Sequence, residues 1–229
     1  YWHYPAQLGQ EIRIDVHSTI PIAKGMASST ADIAATAVAT AHHLGHQLDE
    51  SALATLCVSL EPTDSTVFRQ LTLFDHNDAS TQIPCDAQPT LDLLVLESPQ
   101  TLRTADYHRI PRQAGLHAGA PALKRAWEKV QEACMTQSPY RLGEAATLSA
   151  IASQTLLPKP DFDDLLSLVE EGGIYGVNVA HSGSVVGLML DRNKDDVDYV
   201  KWLLAKKQLT RHWPEQHLLR MVKGGVTLL

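Results

Sequence analysis

Between Pro21 and Thr36 the chain reads PIAKGMASSTADIAAT, a proline, a glycine and two adjacent serines set directly before an alanine-rich run. The first amides of a helix have no intrahelical partner, and the dipole is positive at that end. A flexible turn leading into such a helix is therefore suited to receive an anion. Gly25 can adopt backbone angles closed to other residues and lets a phosphate come close. Ser28 and Ser29 can donate hydroxyls to it, or one of them can ligate a divalent cation. The same residues would also serve as an ordinary serine cap, with Asp32 three residues beyond Ser29 in a capping-box-like arrangement. A Walker-type loop is excluded because Lys24 precedes Gly25, and no GxGxxG follows a strand.

The surrounding patterning predicts a mixed fold. EIRIDVHSTI (11–20) alternates Ile12, Ile14 and Val16 with polar residues, as a half-buried strand does. A helix over 30–45 follows, closed by Gly45 in a left-handed cap, and then a helix over 49–61 with Asp49 as its N-cap. STVFRQLTLFDH (65–76) and TLDLLVLES (90–98) read as strands, the second apolar enough to be central in a sheet. The polar stretch from Pro99 to about Gly119 reads as a joint between two parts, 1–110 and 111–229. Helices over 121–137, 140–157 and 161–171 come next, the last stopped by Gly172-Gly173. Two strands around a Ser-Gly turn (175–182 and 184–191), a helix (195–209) and a final strand region from Gln216 complete the chain. Strands gathered rather than strictly alternating with helices favour α+β over a doubly wound sheet.

Composition narrows the function. Apolar residues make up 44% and charged residues 20%, as in soluble globular proteins. A formal charge of −7 argues against non-specific attachment to nucleic acid or anionic membrane. No apolar run approaches the roughly 18 residues of a membrane span. Three cysteines, Cys57, Cys85 and Cys134, with no CxxC pair, fit buried thiols in a reducing, cytoplasmic setting. His42 and His46 lie one helical turn apart but lack a third ligand, so they read as surface histidines. Trp127, Trp202 and Trp213 read as packing anchors, and Lys206-Lys207 as cations suiting a helix C-terminus. The chain opens without an initiator methionine, which predicts a trimmed or fragmentary N-terminus.

P-x-x-x-G-M-A-S-S-T-A resembles the second signature of the GHMP kinases, P-x-x-x-G-L-G-S-S-A-A, with Ala27 in place of a glycine. EPTDST (61–66) stands where that family carries acidic residues, and GVNVAHSGSVVGLML (176–190) where it has its third, glycine-rich signature. The resemblance covers most of the chain and is strongest to the threonine-phosphorylating branch. The family's first signature is expected before residue 1. The resemblance implies the GHMP kinase fold, with an N-terminal part like ribosomal protein S5 domain 2 and a C-terminal ferredoxin-like part.

It also implies an ATP- and Mg²⁺-dependent transfer to the hydroxyl of a small molecule, L-threonine, giving O-phospho-L-threonine for the aminopropanol linker of cobalamin. Pro21, Lys24, Gly25, Met26, Ala27, Ser28, Ser29 and Thr30 would wrap the nucleotide phosphates, with Ser29 and Glu61 on Mg²⁺. Glu61 and Asp64 leave a helix end in one turn around Pro62, and Asp64 is the candidate base or orienting group for the acceptor hydroxyl. For the acceptor's carboxylate and ammonium the candidates are His181, Ser182, Gly183 and Arg69. The rival readings are a homoserine or other small-alcohol kinase, a nucleotide-binding module without turnover, and a scaffold without ligand. The sequence leaves the oligomeric state open, a homodimer included.

Overall fold

The computed structural model describes residues 12–85, 89–102, 107, 109 and 111–228. Its elements in chain order are α1 (Ser28–His43), α2 (Glu50–Val58), a 3₁₀ turn (Ser65–Val67), β1 (Thr72–Phe74), β2 (Gln82–Pro84), β3 (Asp92–Glu97), α3 (Gln113–Thr136), α4 (Pro139–Ser153), α5 (Phe162–Glu171), β4 (Gly176–Val179), β5 (Val186–Leu190), α6 (Val197–Lys206), a second 3₁₀ turn (Leu209–Arg211) and β6 (Glu215–Arg220). The expected α+β class holds.

β3 is central, as its apolar run predicts, within a four-stranded antiparallel sheet of order β4-β5-β3-β6. Period-two alternation sends its side chains to opposite faces. Leu94 and Leu96 join Val177, Leu188, Leu190, Leu165, Leu168, Leu203, Leu204 and Trp213 in the largest core. Leu93 faces the other way, against Tyr175, Met189, Leu142 and Ala133. β3 precedes the polar joint and its neighbours β5 and β6 follow it, so the sheet crosses the expected boundary between 110 and 111. Helix α4 comes unusually close to β4: a Cβ on Gly143 would overlap the Tyr175 carbonyl. Thr147 fastens the approach, donating to the Gly143 carbonyl at 2.8 Å and accepting from the Val177 amide at 3.0 Å.

A second core joins α1 and α2 through Ala34, Leu53, Ala54, Cys57, Val67 and Phe68. Asp49 caps α2, accepting from the Ala52 amide at 2.7 Å. Gly45, with φ +76°, ends α1. The His46 amide reaches the Ala41 carbonyl and the Gly45 amide the His42 carbonyl, the two bonds of a Schellman cap. All three cysteines are buried and free.

Several expectations need correcting. Residues 12–20 form no strand: no ladder lies beside them among the described residues, and Ile14 and Val16 stand about half exposed. The strand expected over 65–76 is a 3₁₀ turn followed by only three paired residues, Thr72–Phe74. The polar joint ends earlier than Gly119, because α3 begins at Gln113. Trp213 is buried, but Trp202 is half exposed, stacked on Tyr199 at 5.6 Å with Lys206 over its ring. No described helix is long and apolar enough to cross a membrane.

Candidate active site

A cavity of about 550 Å³ collects residues from several parts of the chain. They include Ser29 at the start of α1, Pro62–Ser65 after α2, Leu71–Phe74, His76 and Asn77 of the β1–β2 hairpin, residues of α3 and of α4, and His181-Ser182 between β4 and β5. Ser29, Asp64, His181 and Ser182, all singled out in the sequence, therefore share one cavity.

The serine-cap reading does not survive. The residue capping α1 is Ala27, held left-handed at φ +58° with no side-chain bond to the first turn, and Ser28 and Ser29 are the first helical residues. Alanine adopts this conformation only at a cost, which is where the family pattern has glycine. With no cap side chain competing, the amides and hydroxyls of the first turn are presented to a ligand. Thr30 is buried, and its Oγ1 accepts from the Asp64 amide at 3.2 Å, tying the acidic turn to α1.

Lys24 is corrected: it is no phosphate clamp. Its ammonium is buried, donating to the carbonyls of Ser98 and Gln100 and pairing with Glu97 at 3.5 Å. Its carbonyl meanwhile accepts from the amides of Ser184 and Val185 at 3.0 and 3.3 Å. Gly25, at φ +81°, packs directly on Gly183: a Cβ on Gly25 would lie 2.6 Å from the Ala180 Cβ and 2.8 Å from the Gly183 Cα. Gly183 thus serves as the backbone rest for the loop and is buried away from the cavity lining. Pro21 and Met26 flank that loop, both partly buried. Arg69 is also corrected: it lies 3.6 Å from Glu50 in a separate groove with His42 and His46.

Charge is distributed unevenly around the cavity. Asp64 is exposed to the open cavity, yet desolvation by the walls around it lifts its carboxyl above the usual carboxylate range, opposed by His76 and reinforced by Glu61. Glu61 stands just outside the lining, and its Oε1 is buried without a hydrogen-bond partner among the described residues. His181 meets Ser149 Oγ at 3.0 Å. His181 is exposed at the cavity rim, and desolvation by the neighbouring walls, with the charges of Lys159 and His76, holds its imidazole below its ordinary value.

Lys159, between Pro158 and Pro160, passes unnoticed in the sequence, as do Ser149, His76 and Arg112. Its buried ammonium donates to the carbonyls of Ala180 and Gly183 at 3.1 and 2.6 Å, bracing the turn that carries His181. Burial brings it down to about 8. Relative to Lys159→Met, the wild type is expected to gain stability as pH rises from about 8 to about 10, because in that window the unfolded chain still holds a proton the folded chain has released. Denaturant melts of both proteins at about pH 7.5 and pH 9.5 measure this, and a pH-independent difference between them would contradict it.

A loop leading into the uncapped first turn of α1, an acidic turn hydrogen-bonded to that helix and a mainly apolar cavity lined by both are together suited to hold a small molecule beside an anionic group. The profile of the GHMP kinases N terminal domain matches residues 1–68. The chain is 82% identical to an L-threonine kinase of Citrobacter freundii over its whole length, spanning 79% of that protein. It is 72% identical to an L-threonine kinase of Salmonella typhimurium, spanning 76% of it. Among solved structures it is similar to a homoserine kinase from Cytophaga hutchinsonii, with TM-score 0.68 and 15% identity over 91% of this chain and 69% of that one. It is also similar to the L. major mevalonate kinase complexed with R-mevalonate, with TM-score 0.58 and 14% identity over 88% of this chain and 67% of that one. The chain belongs to the GHMP kinase family.

Proposed function

We propose that the chain transfers the γ-phosphoryl group of ATP to the side-chain hydroxyl of L-threonine, yielding O-phospho-L-threonine for the aminopropanol linker of cobalamin. The observation that carries this reading is the end-to-end identity of 82% and 72% with two L-threonine kinases. The cavity supports it by bringing the α1 N-terminus and Asp64 to one space.

Phosphoryl transfer asks a protein for positioning and charge neutralisation more than for covalent chemistry. In this reading the first-turn amides and hydroxyls of α1 hold the phosphates, and Ala27 and Gly25 bend the loop around them. Asp64, lifted by desolvation and by Glu61, accepts the proton of the acceptor hydroxyl. The groups suited to Mg²⁺ are the Ser29 hydroxyl and the Glu61 carboxylate, whose Oε1 is buried and unpartnered among the described residues. Hard oxygen donors of this kind fit Mg²⁺, which takes one or two protein ligands and completes its shell with phosphate and water. Bound there, the ion would neutralise phosphate charge. The assignment of nucleotide binding to 1–110 and of the remainder to 111–229, two parts that share one sheet, and a cytoplasmic location belong to the same proposal.

The test is a Mg-ATP-dependent phosphorylation assay with L-threonine, L-serine and L-homoserine, using Ser29→Ala alongside. Threonine-selective turnover that falls in the variant is expected. Turnover with homoserine in preference to threonine, or nucleotide binding with no turnover, would replace the reading.

A further inference from the structure

Two buried lysines flank the contact between Gly25 and Gly183, and they differ in how their charge is met. Lys24 pairs with Glu97 at 3.5 Å besides donating to the carbonyls of Ser98 and Gln100. Lys159, only 7% exposed, donates to the carbonyls of Ala180 and Gly183, and no carboxylate among the described residues pairs with it. We propose that the Lys159 ammonium supplies, from behind the turn it braces, a positive charge for the phosphates of ATP, so that the bound nucleotide is its counter-ion. This rests on the threonine-kinase reading.

A buried cation is costly unless an opposite charge meets it. Holding two carbonyls does not require a cation, since an uncharged amide also donates to carbonyls. The brace alone therefore does not account for a lysine here, whereas an anion arriving with a ligand does. The path to that anion is short. A Cβ on Gly183 would lie 2.4 Å from the Gly25 nitrogen, and Lys159 Nζ is 2.6 Å from the Gly183 carbonyl oxygen. Counting the intervening bonds, the ammonium lies at most about 9 Å from the Gly25 amide. From Gly25 the chain runs through Ala27 into the uncapped first turn of α1. A charge buried at that range acts on an anion without touching it, and salt screens it little.

The charged groups around Lys159 do not replace such a ligand. His181 follows Ala180 in the braced turn and is itself a cation when charged, and Lys24 is met by Glu97. Asp161, two residues along the chain, is engaged by Arg211 and His212. Burial alone brings Lys159 down to about 8. A nearby anion favours the charged form and raises it again. ATP should therefore bind the protonated protein more tightly, and its affinity should fall as pH rises through about 8.

The test measures Mg-ATP binding by titration calorimetry between pH 7 and pH 9.5, in buffers of different ionisation enthalpy. It compares wild type with Lys159→Gln, which keeps a donor for the braced carbonyls but no charge, and Lys159→Met, which keeps neither. For wild type the Kd is expected to rise about 5- to 10-fold across this range, with about half a proton taken up per nucleotide near pH 8.5. In Lys159→Gln the Kd at pH 7 should already be about 5- to 20-fold above wild type and should no longer change with pH. Any further loss in Lys159→Met measures the brace. A wild-type Kd that is flat from pH 7 to 9.5 without proton uptake would overturn the proposal. So would a Lys159→Gln loss as large at pH 9.5 as at pH 7, which would leave Lys159 a brace only. Wild-type protein that binds no Mg-ATP would instead remove the functional reading on which the proposal stands.

Discussion

Asp64→Asn is expected to lower kcat for threonine phosphorylation by about 10²- to 10⁴-fold, the range that a positioned general base contributes. The fold should be unaffected, because the bond that ties this turn to α1 is made by the Asp64 backbone amide to Thr30 Oγ1, not by the carboxylate. A base must be ionised, so activity should fall as pH drops through the Asp64 pKa, and desolvation by the cavity walls together with Glu61 places that fall above the usual carboxylate range. Two variants then separate the contributions. Asp64→Asn should flatten the acid limb of the kcat profile, whereas Glu61→Gln, which removes a neighbouring negative charge and a proposed Mg²⁺ ligand, should lower kcat and, at saturating Mg²⁺, move the limb to lower pH. Asp64→Asn with kcat within a few-fold of wild type would show that the residue only orients the acceptor.

Gly183→Ala is the second substitution of large expected effect. A methyl there would overlap the Lys24 carbonyl oxygen and the Gly25 backbone. Neither can retreat cheaply: the Lys24 carbonyl is engaged by two amides, and the Gly183 carbonyl by the buried Lys159 ammonium. Overpacking of this sort costs about 1–3 kcal/mol. For a chain of this size that corresponds to a fall in Tm of roughly 2–4 °C per kcal/mol. Because the displaced partner is the loop proposed to hold the phosphates, the KM for ATP should also rise, by about tenfold or more if some 1.4 kcal/mol of binding is lost. Gly45→Ala is the matched control. A Cβ there meets nothing within 4 Å, so only the left-handed backbone at φ +76° is strained, and ATP affinity should be untouched. Gly183→Ala with wild-type Tm and wild-type ATP affinity would refute the interlocked-loop account.

What could be read from the sequence was local. The turn into α1, the Asp49 cap, the Gly45 closure and the apolar run of β3 depend on neighbours within a few residues, and each appears where patterning puts it. The Ser29–Asp32 capping box was also a local inference, yet it failed, because the chain enters α1 through a left-handed Ala27 that leaves Ser29 inside the helix. Residues whose meaning comes from distant partners were misread or missed. Lys24 looks like a phosphate ligand until Ser98 and Gln100, more than seventy residues on, take its ammonium. Ser149 and His181 meet only because Gly143 and Gly176 let α4 settle on β4. Alternation alone predicted a strand over 11–20, but a strand also needs a neighbour, and the described residues supply none.

The placing of β3 has a consequence for how the chain emerges from the ribosome. Leu94 pairs in register with Leu188 on one side and Leu218 on the other. At about 5–20 residues per second, β3 waits roughly 6–25 s after its own synthesis before its last partner exists. Throughout that interval Leu94 and Leu96, fully buried in the finished protein, have no completed sheet to cover them. The nascent chain therefore carries a sticky central strand while residues 98–220 are being made, and slow synthesis of that region should increase its dependence on chaperones.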